Sequence, residues 1–201
     1  MTVIVDYGMG NLLSVAKAFD HLGHAVQVSG DPEVVGNADK VVLPGVGAFG
    51  ACMENLRAAG LVEPLKQQVA SGRPFLGICL GLQVLFDRSS ERGEHTGLGI
   101  VPGEVIRFTE TSELRIPHMG WNEIVLKQPA PHLAGIPEGT RMYFVHSYFP
   151  VPENGADVAV VTRHGQEFCS AVWRDNVFAS QFHPEKSGQL GLRLLDNFAR
   201  L

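Results

Sequence analysis

Apolar positions along the chain follow two periods. Short β-branched runs, "TVIVDY" (residues 2 to 7), "HAVQVS" (24 to 29) and "KVVLP" (40 to 44), predict strands. After the first of them, Leu12, Val15, Ala16, Phe19 and Leu22 recur at helical spacing on one face, and Gly23 ends that helix. "LVEPLKQQVASG" repeats the helical period with Leu61, Leu65 and Val69, and "PFLGICLGLQVLF" (74 to 86) reads as a buried strand running into an apolar helix. This βα alternation predicts a parallel sheet covered by helices on both faces. From about Gly103 the texture changes to short strands, "GEVIRF", "WNEIVL", "RMYFVHSY", "DVAVVTR", "EFCSAVW" and "VFASQFH", expected to extend the same sheet in antiparallel fashion. Ser187 is placed to N-cap a closing helix in which Leu190, Leu194 and Phe198 line one side. The expected fold is α/β, a flavodoxin-like three-layer sandwich whose mostly parallel central sheet is extended by antiparallel strands. No linker interrupts it, so residues 1–201 are expected to form one domain.

Composition narrows the chemistry. A chain of 201 residues, 45% hydrophobic, can bury a full core without staples. Cys52, Cys79 and Cys169 are odd in number and lack CxxC spacing, which argues against a disulfide framework or a Cys-rich zinc site and suits a reducing cytosol. The opening "MTVIVDYGMGN" has no basic region, and Asp6 and Gly8 cut its apolar run short of a signal peptide or membrane span. A cytoplasmic protein is expected. With a net charge of −5 and no Lys/Arg cluster, neither nucleic acid nor an anionic membrane is an expected partner. The eight histidines show no metal-ligand spacing, and neither a P-loop nor a dinucleotide fingerprint is present, so no metal and no cofactor are expected.

The candidate chemistry centres on Cys79. Gly77-x-Cys79-x-Gly81 has the spacing of a nucleophile elbow with cysteine in place of serine, at the carboxyl end of a strand, where ligands of open α/β sheets sit. The helix expected after it, "LGLQVLFD", would aim its positive end at the sulfur and favour thiolate over thiol. A buried cysteine is ordinarily a small hydrophobe, and that reading is kept for Cys52 and Cys169. Packing alone does not call for two glycines around Cys79. A thiol nucleophile needs a base and an orienting group. In "SQFHPEKS", His183 and Glu185 lie two apart on an extended segment and can project together, stiffened by Pro184. Taken alone, His-Pro-Glu is also a common polar turn, but the strand before it would deliver it to the rim that carries Cys79. For a developing oxyanion, the Leu80 N–H is one donor, and the glycine loop "LPGVGAFG" (43 to 50) offers another at Val46 or Gly47.

"PGVGAF", "GICLGLQ" and "HPEKS", in this order, resemble the class I (triad) glutamine amidotransferases over nearly the whole chain. The resemblance implies that Cys79 attacks the side-chain amide of glutamine, His183 shuttles the proton and Glu185 orients His183. It also implies that Gln83 and the Ser147-Tyr148 backbone hold the glutamine. "PHMGWN" (117 to 122), "YFVHSY" (143 to 148), the opening "DYGMGN" and the Lys186-Ser187 ending are similar to one branch, whose members form heterodimers with a (β/α)8 cyclase subunit of histidine biosynthesis. Ammonia would pass, uncharged, into that partner. Met119, Trp121 and Asn122 then read as interface, Met and Trp being enriched at association surfaces, although core packing at a strand start accounts equally for such residues. Lys186 is either a solvated charge or a residue facing the partner.

Two other readings use the same residues. A stand-alone thiol hydrolase predicts turnover without a partner, on substrates larger than glutamine. A non-catalytic flavodoxin-like binding module predicts an inert Cys79.

Overall fold

The computed structural model of the protein describes residues 1–110 and 114–201. The first half is a βα series: β1 (Thr2–Val5), α1 (Leu12–His21), β2 (Val26–Ser29), α2 (Pro32–Gly36), β3 (Lys40–Gly45), α3 (Phe49–Ala58), α4 (Val62–Ala70), β4 (Phe75–Cys79) and α5 (Leu80–Gln83). Strands then dominate: β5 (Phe86–Ser89), β6 (His95–Thr96), β7 (Val101–Arg107), β8 (His118–Glu123), β9 (Val125–Leu126), β10 (Arg141–His146), β11 (Tyr148–Pro152), β12 (Val158–His164), β13 (Gln166–Arg174) and β14 (Val177–Ser180). Helix α6 (Gly188–Ala199) closes the chain.

The main sheet has eight strands in the order β2-β1-β3-β4-β14-β13-β12-β9. The first five are mutually parallel and the last three antiparallel. Side chains alternate between its faces. Val3, Val5, Val41, Leu43 and Phe75 pack with Met53, Leu56 and Leu65 of α3 and α4, whereas Ile4, Val42, Leu76 and Ile78 pack with Phe19 of α1 and Leu194 and Phe198 of α6. The result is the expected sandwich of helices, mostly parallel sheet and helices.

Several elements depart from the sequence expectation. Of the six late strands, "DVAVVTR", "EFCSAVW" and "VFASQFH" join the main sheet, and the last does so parallel to β4. "GEVIRF" lies instead in a four-stranded sheet, β11-β7-β5-β6, and "WNEIVL" splits between the β10-β8 pair and the edge strand β9. "RMYFVHSY" is two strands, because it leaves β8 at His146 and joins β7 from Tyr148, changing sheets at Ser147. The helix expected from residues 80 to 87 is a single turn. Its onward carbonyls are captured from outside, Val84 O by Leu98 N at 2.8 Å and Leu85 O by Ile100 N at 2.8 Å, so the chain leaves as β5. Two helices, α2 and α3, have no counterpart in the sequence expectation. In α2 the Asp31 carboxylate caps Glu33 N at 2.8 Å with Pro32 behind it, but five residues are too few for a period. In α3, Phe49, Cys52, Met53 and Leu56 do bury at helical spacing. Ser187 occupies the N-cap position of α6, yet its hydroxyl donates to His183 O at 2.6 Å and accepts from Tyr143 N at 2.9 Å.

Candidate active site

Three strand ends converge at one rim of the main sheet: β3 with its glycine loop, β4 with Cys79, and β14 with the segment leading to His183. Cys79 has φ 57° and ψ −107°, a backbone conformation that costs a non-glycine residue about 1–3 kcal/mol and marks a corner held by its surroundings. The flanking glycines permit the approach. A Cβ on Gly77 would lie 2.8 Å from Ala179 Cβ, and one on Gly81 only 1.9 Å from Leu43 O. The dipole expected to act on the sulfur is not there at full strength, since α5 has four residues.

The base lies beside the sulfur. His183 Nδ1 is 2.8 Å from Glu185 Oε1, with both side chains buried. Nε2, the other ring nitrogen, is buried and has no hydrogen-bond partner among the described residues, and Cys79 lines the same cleft as the ring and acts on its charge. Catalytic contacts of this kind are commonly loose before substrate binds. Burial lowers the His183 pKa, but interaction with Cys79, reinforced by Glu185, outweighs it and pushes the value up to about 10. An imidazolium at neutral pH therefore lies beside the sulfur. Burial pushes both Cys52 and Cys169 up to about 12, so they remain protonated in the core.

A cleft of about 520 Å³ opens beside the pair, large enough for an amino acid. Val46, Gly47, Cys79, Leu80, Gln83, Ser147, Tyr148 and His183 line it, which gathers the proposed nucleophile, base, oxyanion and substrate residues. Glu185 sits behind, in a smaller recess with Asn11 of the opening motif. Gln83 Nε2 donates to Tyr148 O at 2.9 Å and to Gln181 Oε1 at 3.0 Å. Both amide hydrogens of Gln83 are thus engaged within the protein. Gln181, not anticipated from sequence, donates onward to Cys79 Sγ at 3.7 Å. Its signal was present, since it precedes His183 by two on an extended segment.

The residue pattern, the elbow and the cleft have a family counterpart. Residues 3–200 match the family model described as glutamine amidotransferase class-I. The chain belongs to the class I glutamine amidotransferases. Among curated members, the imidazole glycerol phosphate synthase subunit HisH of Syntrophotalea carbinolica is 58% identical over 203 residues, covering 98% of each chain. The protein of the same name from Aquifex aeolicus is 52% identical over 200 residues, covering 99% of this chain and 96% of its own. A crystal structure of a glutamine amidotransferase superposes with a TM-score of 0.76 at 19% identity, covering 100% of this chain and 99% of that one, and shows that the fold is shared.

In this amidotransferase the residues expected at an interface do not line the cleft itself. Met119 is 64% exposed and Trp121 54%, which rules out the core-packing reading for both. Asn122 turns inward instead, donating to His118 Nε2 at 3.0 Å and to Arg163 O at 2.9 Å. Lys186 is exposed beside the base. The exposed face connects to the base through rings: Trp121 meets Tyr143 edge-on at 6.2 Å, and Tyr143 lies 6.4 Å from His183.

Glu185→Gln tests the orienting carboxylate. The variant is expected to fold and to lose glutaminase activity by about 10²–10⁴-fold, because an amide does not stabilise the imidazolium. Its pH profile is expected to change in a defined direction: without Glu185 the His183 pKa falls, so activity that depends on the imidazolium declines at lower pH than in the unsubstituted enzyme. Turnover equal to the unsubstituted chain would assign the orientation of His183 to another group.

Proposed function

We propose that this chain is the glutaminase subunit of an imidazole glycerol phosphate synthase, with residues 1–201 acting as one amidotransferase domain. The observation that carries the chemistry is the buried His183–Glu185 pair at 2.8 Å facing a cysteine held at positive φ. The Cys79 thiolate attacks the side-chain carbonyl carbon of glutamine. The negative charge passes to the carbonyl oxygen, where the Leu80 amide and a loop amide at Val46 or Gly47 receive it. His183 gives its Nε2 proton to the amide nitrogen, the C–N bond breaks, and ammonia leaves a thioester behind. Neutral His183 then takes a proton from water, hydroxide adds to the thioester, and the thiolate departs to give glutamate. Gln83, Ser147 and Tyr148 hold the substrate.

The ammonia goes to a (β/α)8 cyclase subunit, which joins it to a phosphoribulosyl aminoimidazole-carboxamide substrate and releases imidazole glycerol phosphate and an aminoimidazole-carboxamide ribonucleotide, in histidine biosynthesis. Met119, Trp121 and Lys186 face that partner in a heterodimer. Exposed Met and Trp on one strand support this assignment over a stand-alone hydrolase, which has no use for them. Among the described residues no helix is long and apolar enough to cross a membrane, and three free cysteines suit the cytoplasm. The test is ammonia and glutamate release from glutamine by the reconstituted pair. Equal amounts of both are expected. Turnover of larger γ-glutamyl compounds in preference to glutamine would favour the stand-alone hydrolase.

A further inference from the structure

The antiparallel pair β8–β10 carries a second polar cluster at the wall of the cleft, separate from the triad. His118 and His146 face each other across the ladder, both buried, with Nδ1 of His118 2.9 Å from Nε2 of His146. Each end of the pair is fixed by a group with only one hydrogen-bonding role. His146 Nδ1 lies 2.8 Å from the Tyr148 carbonyl oxygen, which only accepts, so this nitrogen carries a hydrogen. His118 Nε2 lies 3.0 Å from Asn122 Nδ2, which only donates, so this nitrogen carries none. The contact between the rings then has one direction, His118 Nδ1–H to His146 Nε2. Protonating either ring would set two N–H groups head to head.

Burial lowers the pKa of both rings, to about 4 for His118 and about 3 for His146, and the titratable groups that face them, His164 and His183, act in the same sense. Two neutral rings with every nitrogen engaged have no lone pair left for a metal. What they do is end on Tyr148 O, whose other hydrogen bond comes from Gln83 at 2.9 Å. The carbonyl is thus clamped from two sides, at the point where the chain changes sheets.

Building on the reading that Ser147-Tyr148 holds glutamine and that Met119 and Trp121 face the partner, we propose that His118 and His146 are positioning residues for the glutamine site. The one-way chain Asn122 to His118 to His146 to Tyr148 O fixes the substrate-holding backbone. It also ties that backbone to the strand whose outward face carries Met119 and Trp121. Movement of β8 on docking would be felt at Tyr148 through two rigid rings.

The test has two arms on the full chain. Nitrogen-15 NMR at pH 7 is expected to find both rings neutral with hydrogen on Nδ1, and an Nε2–H tautomer or an imidazolium at either ring would overturn the proposal. In the reconstituted complex, His118→Phe keeps the aromatic stacking but leaves His146 Nε2 without its donor. It is expected to raise the glutamine KM by about 10-fold, with a smaller change in kcat, as for one buried group left unsatisfied. His118→Asn, whose amide nitrogen reaches the place of Nδ1, is expected to restore most of the loss. An ordinary KM in the Phe variant, or no rescue by Asn, would overturn the proposal while the unsubstituted complex still turns over glutamine. Absence of that turnover would instead remove the functional reading itself. If the Phe variant does not fold, the tautomers still decide.

Discussion

Cys79→Ala is expected to abolish glutamine-dependent synthesis by the complex, by about 10⁴-fold or more, and to leave synthesis driven by added ammonium salt in place. The partner's chemistry needs only ammonia, so removal of the sulfur separates supply from use. The fold is expected to survive, since alanine keeps the Cβ that already occupies the φ 57° corner. Cys79→Gly is expected to be more stable than either, because glycine relieves that conformation at little cost. A glutamine-like electrophile is expected to label Cys79 and spare Cys52 and Cys169, whose burial keeps them protonated. Glutamine-dependent turnover by the Ala variant would reject Cys79 as nucleophile.

The second large effect is expected at Gly47. This residue has φ 101° in the loop that lines the cleft, a conformation that a β-branched residue does not share, and an added Cβ would meet Met9 Cε at 2.7 Å. The Met9 contact can be relieved by moving a flexible side-chain end, so the backbone is the larger obstacle. A peptide between Val46 and Gly47 that turns between outward and inward positions gives the partner something to control, provided the partner contacts the two states differently. Removing one oxyanion donor from a hydrolase typically costs about 10²–10³ in rate, enough to keep the lone subunit quiet. Gly47→Val is therefore expected to lower partner-activated glutaminase activity by about 10²-fold and to change the affinity for the partner much less. Full activation of the Val variant, or a lone subunit as fast as the liganded complex, would contradict this role for the loop.

Much of this site was legible in the sequence because its parts are local. The elbow is written in Gly77, Cys79 and Gly81, whose spacing has one steric reason, and the His183–Glu185 offset of two follows from extended backbone. The parallel half of the sheet was legible for the same reason, since each strand and helix carries its own period. What escaped depends on partners distant in sequence. The short run of α5 is imposed by Leu98 and Ile100, and the break in "RMYFVHSY" at Ser147 by competition between β8 and β7. A helix dipole was expected at the sulfur, whereas the structure ends that helix after four residues and sets a buried, charged His183 beside the thiol. Asn122 belonged to the motif expected at the interface, but its amide is engaged within β8 by His118, a residue whose role no spacing announces.

The most direct test follows the nitrogen. The reconstituted complex is given glutamine labelled with nitrogen-15 at the side-chain amide, the cyclase substrate, and an excess of unlabelled ammonium at neutral pH. If Cys79, His183 and Glu185 release ammonia that passes straight to the partner, the imidazole product carries the label despite the excess, and the label vanishes from it in Cys79→Ala. Product nitrogen drawn from the unlabelled ammonium, with the glutamine amide left intact or lost to solution, would contradict the account.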